Sequence, residues 1–275
     1  MDIYALASVG RYAGAVTDAI RFNDGAAYER YMGKWSQLAG EKFLDWIAPE
    51  PGLRWLDVGC GNGAFTEMLV ERCAPATVQG VDPSEGQLAF ARKRPAGRVA
   101  RFRQGDAMAL PFPDDAFDAA VMPLVIFFVP DPAKGIAEMA RVVRPGGLVT
   151  AYGWDLVNGG LPYESLQAEM RGMGIAVPMP PSAGASGKDA MRDLWGGAGL
   201  DGVETREITV ERTFADFDDY WTTVLGGPSV GPQLTAMTSE NIAVLKARMR
   251  ERLPADATGG ITYGAHANAI KGRVL

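Results

Sequence analysis

Apolar residues in the first half of the chain follow two patterns that alternate along the sequence. Short, nearly unbroken apolar runs predict buried strands, because a parallel strand covered on both faces has no polar side. Segments in which apolar residues recur every three or four positions predict amphipathic helices. The predicted strands are an apolar run that ends at Val58, then Thr77–Asp82, Val99–Ala107, Phe117–Met122 and Leu148–Tyr152.

Helices are predicted between these strands. One begins directly after a glycine-rich junction and carries its apolar residues between Phe65 and Val70. Ser84 is a suitable N-cap for the next helix, and a third spans Pro132–Val143. The alternation of strands and helices predicts an α/β fold: a doubly wound, Rossmann-like, mostly parallel sheet with helices on both faces.

The segment before the first strand carries aromatic residues at helical spacing. Residues 27–47 predict two helices, around positions 33–40, that cover one edge of the crevice at the ends of the strands. Aromatic residues in such a pattern are most often core residues. Tyr28 and Trp35 are the two for which we also consider a role as a cover over a bound ligand.

Beyond residue 155 the pattern changes character. A helix is predicted near Glu164–Arg171, and residues 172–187 are rich in Gly, Pro, Met and Ser. Such a stretch is either a surface excursion or a mobile lid over a substrate pocket. The remaining predicted elements are a strand Val203–Phe214, helices Asp216–Leu225 and Thr238–Leu253, and a closing strand Gly260–Ile270.

These elements predict a single domain in four parts. Residues 1–48 are expected to form a helical cover, and residues 50–155 a ligand-binding core. Residues 156–200 are expected to form a lid or substrate segment, and residues 201–275 the closing strands and helices.

The junction after the first strand holds glycines at alternate positions, Gly59, Gly61 and Gly63. Glycine lacks Cβ, so the turn can take positive φ and a ligand can approach the backbone closely. The helix that follows points unpaired N–H groups at that ligand, in the crevice where open α/β sheets bind nucleotides. The G-x-G-x-G spacing differs from the G-x-G-x-x-G of dinucleotide sites. A tight turn that binds nothing is the alternative.

Acidic residues end the second and third predicted strands. Asp82 stands about 20 residues beyond the glycines, where a carboxylate can accept hydrogen bonds from both ribose hydroxyls. Asp106 can accept from the exocyclic amine of adenine, and the Ala107 N–H can donate to a ring nitrogen. A simple helix-capping role is the alternative for Asp82.

Composition narrows the class of protein. The chain has 275 residues, 47% of them hydrophobic, and a formal net charge of −6, which argues against a broad nucleic-acid or anionic-membrane surface. Its two cysteines, Cys60 and Cys73, have no metal-like spacing, so no metal is expected. The longest apolar stretch, residues 119–129, is too short to span a bilayer. With no targeting segment apparent, we expect a cytoplasmic protein.

Five motifs together resemble one known family. In order they are Leu56-Asp57-Val58-Gly59-Cys60-Gly61-Asn62-Gly63, Val81-Asp82-Pro83-Ser84, Gly105-Asp106-Ala107 with Leu110-Pro111-Phe112, Phe117-Asp118, and Arg141-Val142-Val143-Arg144-Pro145-Gly146-Gly147. Over roughly residues 50–155 the chain closely resembles class I S-adenosylmethionine-dependent methyltransferases. The branch resembled is the type 11, or ubiquinone/menaquinone-biosynthesis-like, group that acts largely on small molecules. The two late strands fit the seven-stranded sheet of that family.

The resemblance implies S-adenosyl-L-methionine as cofactor and S-adenosyl-L-homocysteine as product. It implies that Gly59 and Gly61 pass the methionine part, that Asp82 holds the ribose, and that Asp106 and Ala107 hold adenine. Met122 and Pro123 would line the cofactor near the sulfonium, although many relatives carry Ser or Asn in this segment. The full set of expected cofactor-binding residues is Tyr28, Trp35, Asp57, Gly59, Cys60, Gly61, Asp82, Pro83, Gln87, Asp106, Ala107, Met122 and Pro123.

The expected reaction is an in-line displacement that transfers methyl from the sulfonium to an acceptor. It needs a positioned nucleophile, exclusion of water and, for a weak nucleophile, removal of a proton. Residues near the ends of the fourth and fifth strands predict a small, partly apolar acceptor: Phe127, Phe128, Tyr152, Trp154, Asp155 and Tyr163. The sequence has one histidine, His266. A lone histidine is more often packed in the core or exposed to solvent than catalytic, so no catalytic base is assigned.

Three alternatives stay open at this point. A protein could be the acceptor, or the chain could bind the cofactor without turnover. A nicotinamide-dependent dehydrogenase is the third, and the glycine spacing and the Gly105-Asp106 strand end count against it. The oligomeric state is not predicted.

Overall fold

A seven-stranded sheet forms the centre of the molecule. The structure is a computed structural model that describes residues 29–227 and 230–275. The strands are β1 (Arg54–Val58), β2 (Thr77–Asp82), β3 (Ala100–Gln104), β4 (Phe117–Pro123), β5 (Val143–Trp154), β6 (Leu200–Phe214) and β7 (Ile261–Val274). Their order in the sheet is β3-β2-β1-β4-β5-β7-β6. The first five run parallel, and β7 lies antiparallel between β5 and β6. The predicted mostly parallel sheet is confirmed.

Helices connect the strands and close the chain. They are α1 (Lys34–Ile47), α2 (Ala64–Cys73), α3 (Glu85–Ala91), α4 (Pro132–Val142), α5 (Glu164–Gly172), α6 (Lys188–Gly197), α7 (Phe217–Leu225), α8 (Gly231–Ala236) and α9 (Ser239–Arg252). A π-helical turn, Glu29–Gly33, leads into α1, and short 3₁₀ turns occur at Pro95–Arg98, Ile126–Phe128 and Ala183–Ser186. Within the described ranges, no helix is both long and apolar enough to cross a membrane.

The N-terminal aromatic segment forms one helix where the sequence predicted two. Gly40 lies inside α1 and does not break it. A Cβ at this position would stand 3.0 Å from Met68 Cε and 3.1 Å from Tyr152 Oη. Glycine is used here because it lets α1 pack closely against α2 and β5, which a pattern of helix breakers cannot reveal.

Two further differences concern the later elements. β5 begins at Val143, directly after α4, whereas the sequence predicted Leu148 as its first residue. The early part pairs with β4 through a register shift, an irregularity that a glycine-rich sequence does not specify. Helix α6 was not predicted, because its buried side chains are only Met191 and Trp195, too few to give a periodic signal.

Asp118 ties together the starts of three neighbouring strands. Its Oδ2 accepts from the backbone N–H and Nε of Arg54 at 2.8 and 3.0 Å, and its Oδ1 accepts from Arg144 Nε at 2.6 Å. Arg54 begins β1, and Arg144 lies at the start of β5. The hydrogen bonds from Arg54 hold the pKa of Asp118 well below its usual range.

Replacing Asp118 with Ala should lower the free energy of unfolding by about 1–3 kcal/mol at pH 7, because it leaves several donors without their acceptor. The pKa of Asp118 is depressed in the folded state, so this contribution is present above about pH 4 and is lost as the pH falls further. Urea unfolding of both proteins at several pH values measures it. Asp45→Ala is the control: Asp45 pairs with Arg72 at 2.7 Å but is 66% exposed, so its loss should cost less than about 1 kcal/mol. Equal losses in the two variants would contradict the account.

Candidate functional site

A cavity of about 910 Å³ opens at the carboxyl ends of β1, β2 and β4. Its wall contains Gly59–Gly61 after β1, Asp82–Ser84 at the end of β2, and Pro123–Val125 at the end of β4. This is the edge of an open α/β sheet at which ligands bind. The volume is that of a small-molecule or cofactor site.

Two glycines shape the loop after β1 in different ways. Gly59 has φ +74°, and a Cβ there would lie 2.5 Å from Val125 Cγ2, so its role is to admit the segment after β4. Gly61 has φ +51°, and a Cβ there would meet no atom within 4 Å. Since Gly61 also lines the cavity, its missing side chain leaves room for a ligand against the backbone.

Asp82 holds this loop from the end of β2. Its Oδ2 accepts from the Gly61 N–H at 3.0 Å, and its Oδ1 accepts from the Ser84 N–H at 2.8 Å. Burial raises the pKa of Asp82, and the two backbone donors oppose that shift. A carboxylate offers about four acceptor positions, so Asp82 keeps capacity for hydroxyl groups of a ligand in the cavity.

Asp57 lies beneath the loop, on β1, and is fully buried. Its Oδ2 accepts from Thr66 Oγ1 at 2.6 Å, while its Oδ1 has no hydrogen-bond partner among the described residues. Burial raises the pKa of Asp57 to about 7, the hydrogen bond from Thr66 opposes the shift, and the charge of Asp82 adds to it. A buried carboxyl group with one oxygen that has no partner among the described residues therefore lies behind the cavity wall.

Seven of the thirteen residues predicted to bind the cofactor line this cavity. They are Gly59, Cys60, Gly61, Asp82, Pro83, Gln87 and Pro123. The glycine loop, the end of β2 and the end of β4 are thus brought together, as the order of the motifs led us to expect.

The predicted covering role of Trp35 needs correction. Its ring is fully buried, and its Nε1–H donates to Tyr163 Oη at 3.1 Å. Met122 is corrected for the same reason: it is fully buried on β4, and its Cε points to Gly135 of α4. Both side chains belong to the core and do not reach the cavity.

The remaining predicted residues do not line the cavity. Asp57 lies behind it, as described above. Asp106 is exposed, and its Oδ1 accepts from the Met108 N–H at 2.8 Å; neither Asp106 nor Ala107 lines the cavity. Their contact with adenine stays a prediction. Tyr28 lies outside the described residues.

The candidate acceptor residues divide in the same manner. Phe128 and Tyr152 line the cavity, whereas Phe127, Trp154, Asp155 and Tyr163 do not. His266 is also off the wall, with its Nε2 3.9 Å from Asp155 Oδ2.

One further stretch was predicted only as part of a lid. Met179, Pro180 and Pro181 line the cavity, and Ser182 Oγ beside them donates to the carbonyl of Val129 at 2.8 Å. The residues 172–187 thus contribute to the site; whether they move stays a prediction.

Sequence reasoning missed a charged part of the wall. Glu29, Glu67 and Arg94 line the cavity and form ion pairs through Arg94, at 2.9 Å to each carboxylate. The partners lie 65 and 27 positions from Arg94 in the chain. No local pattern links residues at such separations, so only the fold reveals the contact.

Comparison with known proteins identifies the class of domain. Residues 56–151 match the family described as "Methyltransferase domain". The chain is 35% identical over 116 residues to a demethylmenaquinone methyltransferase of Desulfitobacterium hafniense, covering 40% of this chain and 46% of that one. It is 41% identical over 108 residues to a ubiquinone/menaquinone biosynthesis C-methyltransferase of Paracoccus denitrificans, covering 38% and 43%. The chain thus spans about half the length of these relatives.

Solved structures show the same fold. The YcgJ protein of Bacillus subtilis superposes with a TM-score of 0.58 at 19% identity, covering 86% of this chain and 97% of that one. Phosphoethanolamine N-methyltransferase 2 of Haemonchus contortus, solved with S-adenosyl-L-methionine, gives a TM-score of 0.54 at 19% identity, covering 90% and 56%. The family match identifies residues 56–151 as a methyltransferase domain. The solved structures show that the described residues have the same fold.

The residues of the cavity fit S-adenosyl-L-methionine, the cofactor that the resemblance implies. The open space at Gly61 can take a ligand against the loop, and Asp82 offers acceptors at the edge of the same space. Among the described residues Asp57 Oδ1 has no hydrogen-bond partner, and a positively charged ligand bound beside the loop would favour the ionised form of this carboxyl group.

The raised pKa of Asp57 predicts a pH dependence of stability. An aspartate in the unfolded chain titrates near pH 4, whereas Asp57 in the folded protein keeps its proton to about pH 7. Stability should therefore fall as the pH rises between these values, by at most about 1.4 kcal/mol per pH unit. Asp57→Asn does not titrate, so its free energy of unfolding should fall less between pH 5 and pH 7. Urea unfolding at pH 5, 6 and 7 measures the difference, and identical slopes would contradict it.

Proposed function

We propose that the protein transfers the methyl group of S-adenosyl-L-methionine to a small, partly apolar acceptor, releasing S-adenosyl-L-homocysteine. The observation that carries the proposal is that the Gly59–Gly61 backbone and the Asp82 carboxylate face one cavity. They do so within a stretch that matches a methyltransferase domain. The names of the relatives described above support an acceptor of quinone-precursor type.

Cofactor binding is assigned to the loop and to the end of β2. The backbone of Gly59–Gly61 would receive the methionine part, because no Cβ of Gly61 obstructs it. Asp82 would accept hydrogen bonds from the ribose hydroxyls. Pro83 and Gln87, which line the cavity beside Asp82, would border the adenosine.

The acceptor is assigned to the apolar part of the wall, formed by Leu124, Val125, Phe128, Met179 and Pro180. Apolar side chains there would bind a hydrophobic ring or chain and keep water from the reacting atoms. The cofactor supplies an electrophilic methyl group. The protein's contribution is to align an acceptor atom with that group, and positioning of this kind supplies a large part of the rate.

We further propose that the four predicted parts of the chain act as one functional unit, in the cytoplasm. The two late strands extend the same sheet as the cofactor-binding core, which supports a single unit. The net charge of −6 supports a small molecule over a nucleic acid as acceptor.

The first test is calorimetric titration with S-adenosyl-L-methionine, S-adenosyl-L-homocysteine and NAD. We expect both adenosyl ligands to bind and NAD not to bind. Asp82→Ala should weaken their binding by about tenfold or more, since it removes a charged hydrogen-bond acceptor from the wall. Binding of NAD alone would overturn the proposal. Binding without methyl transfer to any of a set of hydroquinones and phenols would favour a non-catalytic binder or a protein acceptor.

Substitutions of two glycines distinguish a steric block of cofactor binding from a loss of stability caused by backbone strain. Gly61→Ala should weaken cofactor binding by about tenfold or more, because the new Cβ enters the space assigned to the cofactor. Gly52 has φ +80°, and a Cβ there would also meet no atom within 4 Å, but it lies in the turn before β1, away from the cavity. Gly52→Ala should cost similar stability, about 1 kcal/mol, and leave binding unchanged. Calorimetry and urea unfolding of both variants measure this, and equal binding losses would count against the assigned position.

A further inference from the structure

Four residues of the cavity wall form a connected polar cluster, which we call the Glu29 cluster: Glu29, Asn62, Glu67 and Arg94. Glu29 Oε2 accepts from Asn62 Nδ2 at 3.0 Å and from Arg94 Nη2 at 2.9 Å. Arg94 Nε donates to the backbone carbonyl of Asn62 at 2.8 Å, and Arg94 Nη1 donates to Glu67 Oε2 at 2.9 Å. All four residues line the cavity.

The cluster joins three segments that are separate in sequence. Glu29 opens the π-helical turn before α1, Asn62 lies in the glycine loop, and Glu67 lies in the first turn of α2. Arg94 contacts all three from the segment after α3, and its side chain is only 16% exposed. The backbone carbonyl of Asn62 is held directly, so the guanidinium positions the glycine loop itself.

The turn Glu29–Gly33 has a second attachment that does not depend on this cluster. Tyr31 is buried, its ring stacks on that of Tyr163 at 4.1 Å, and its carbonyl accepts from Tyr163 Oη at 2.6 Å. Gly33 and Glu29, on either side of Tyr31, both line the cavity. The middle of the turn is thus fixed to the core, while its first residue, Glu29, is bonded to Asn62 of the glycine loop and to Arg94.

We propose that Glu29 and Arg94 are positioning residues that fasten the N-terminal turn to the glycine loop and so control release of the cofactor. The inference rests on the proposed function, because it concerns the same cavity. When the contact forms, the turn closes the wall next to the loop and Arg94 fixes the conformation of residues 61–63. When it breaks, Tyr31 keeps the turn attached, but the wall beside the loop opens.

The physical character of the contact suits such a role. Glu29 is 45% exposed, so solvent partly screens its ion pair with Arg94. Arg94 also bonds to Glu67 and to the Asn62 carbonyl, and these bonds do not involve Glu29. Ion pairs of this kind weaken as salt concentration rises. Release of the cofactor should therefore be faster at high salt in the unaltered protein, and this salt dependence should be smaller when the charge of Glu29 is removed.

The test is the dissociation rate of S-adenosyl-L-homocysteine, measured by stopped-flow fluorescence for a double-mutant cycle. Glu29→Ala and Arg94→Ala should each raise the rate about tenfold, whereas the double variant should exceed Arg94→Ala by no more than about twofold, because both remove the same contact. Glu29→Gln keeps the size of the side chain and loses only its charge, so it should raise the rate and reduce its salt dependence. It also serves if Arg94→Ala does not fold.

Glu85→Ala is the matched control, since it removes a carboxylate that pairs with Arg92 on the exposed side of α3. Its dissociation rate should equal that of the unaltered protein. The melting temperature of Glu29→Ala should change by only a few degrees, because the Tyr31 attachment remains.

Rates that multiply in the double variant would overturn the inference, as would unchanged rates in Glu29→Ala and Glu29→Gln while the unaltered protein binds the ligand. Failure of the unaltered protein to bind S-adenosyl-L-homocysteine would instead overturn the proposed function, and with it this role. The two failures are therefore distinguishable.

Discussion

The site depends on a close approach of backbone to backbone at the end of β1. The N–H groups of Gly59 and Cys60 both donate to the carbonyl of Val81, at 2.7 and 3.0 Å, which fixes the glycine loop to the end of β2. On its other side the loop admits Val125, which occupies the place where a Cβ of Gly59 would stand. Because the ends of β1, β2 and β4 meet in this way, a single cavity can be lined by all three.

Two carboxyl groups lie next to the glycine loop. Asp57 and Asp82 are held behind and beside it, and burial raises the pKa of each. Ionised carboxylates in such surroundings are costly, and a bound group that carries positive charge would offset part of the cost. Both carboxyl groups would therefore favour a cationic ligand. Asp82 also bonds to the Gly61 N–H, so at this residue ligand binding and the conformation of the loop are linked.

Much of the fold could be predicted, because the parallel strands are short apolar runs with glycines or acids at their ends. The role of a residue was harder to predict where that residue contacts partners that are distant in the sequence. Gly40 resembles a break between helices, but it makes room for Met68 and Tyr152. Trp35 has the spacing of a residue that could cover a ligand, but its N–H is bonded to Tyr163, 128 positions away. The ion pairs of Arg94 were missed for the same reason, since such partners leave no periodic signal.

The central claim is that the Gly59–Gly61 backbone and Asp82 hold S-adenosyl-L-methionine. A crystal structure of the protein with S-adenosyl-L-homocysteine tests it most directly. The account predicts the ribose hydroxyls within hydrogen-bond distance of Asp82, and the homocysteine part against the backbone at Gly61, in the space left by its missing side chain. A ligand bound elsewhere, or one whose ribose lies away from Asp82, would contradict the account.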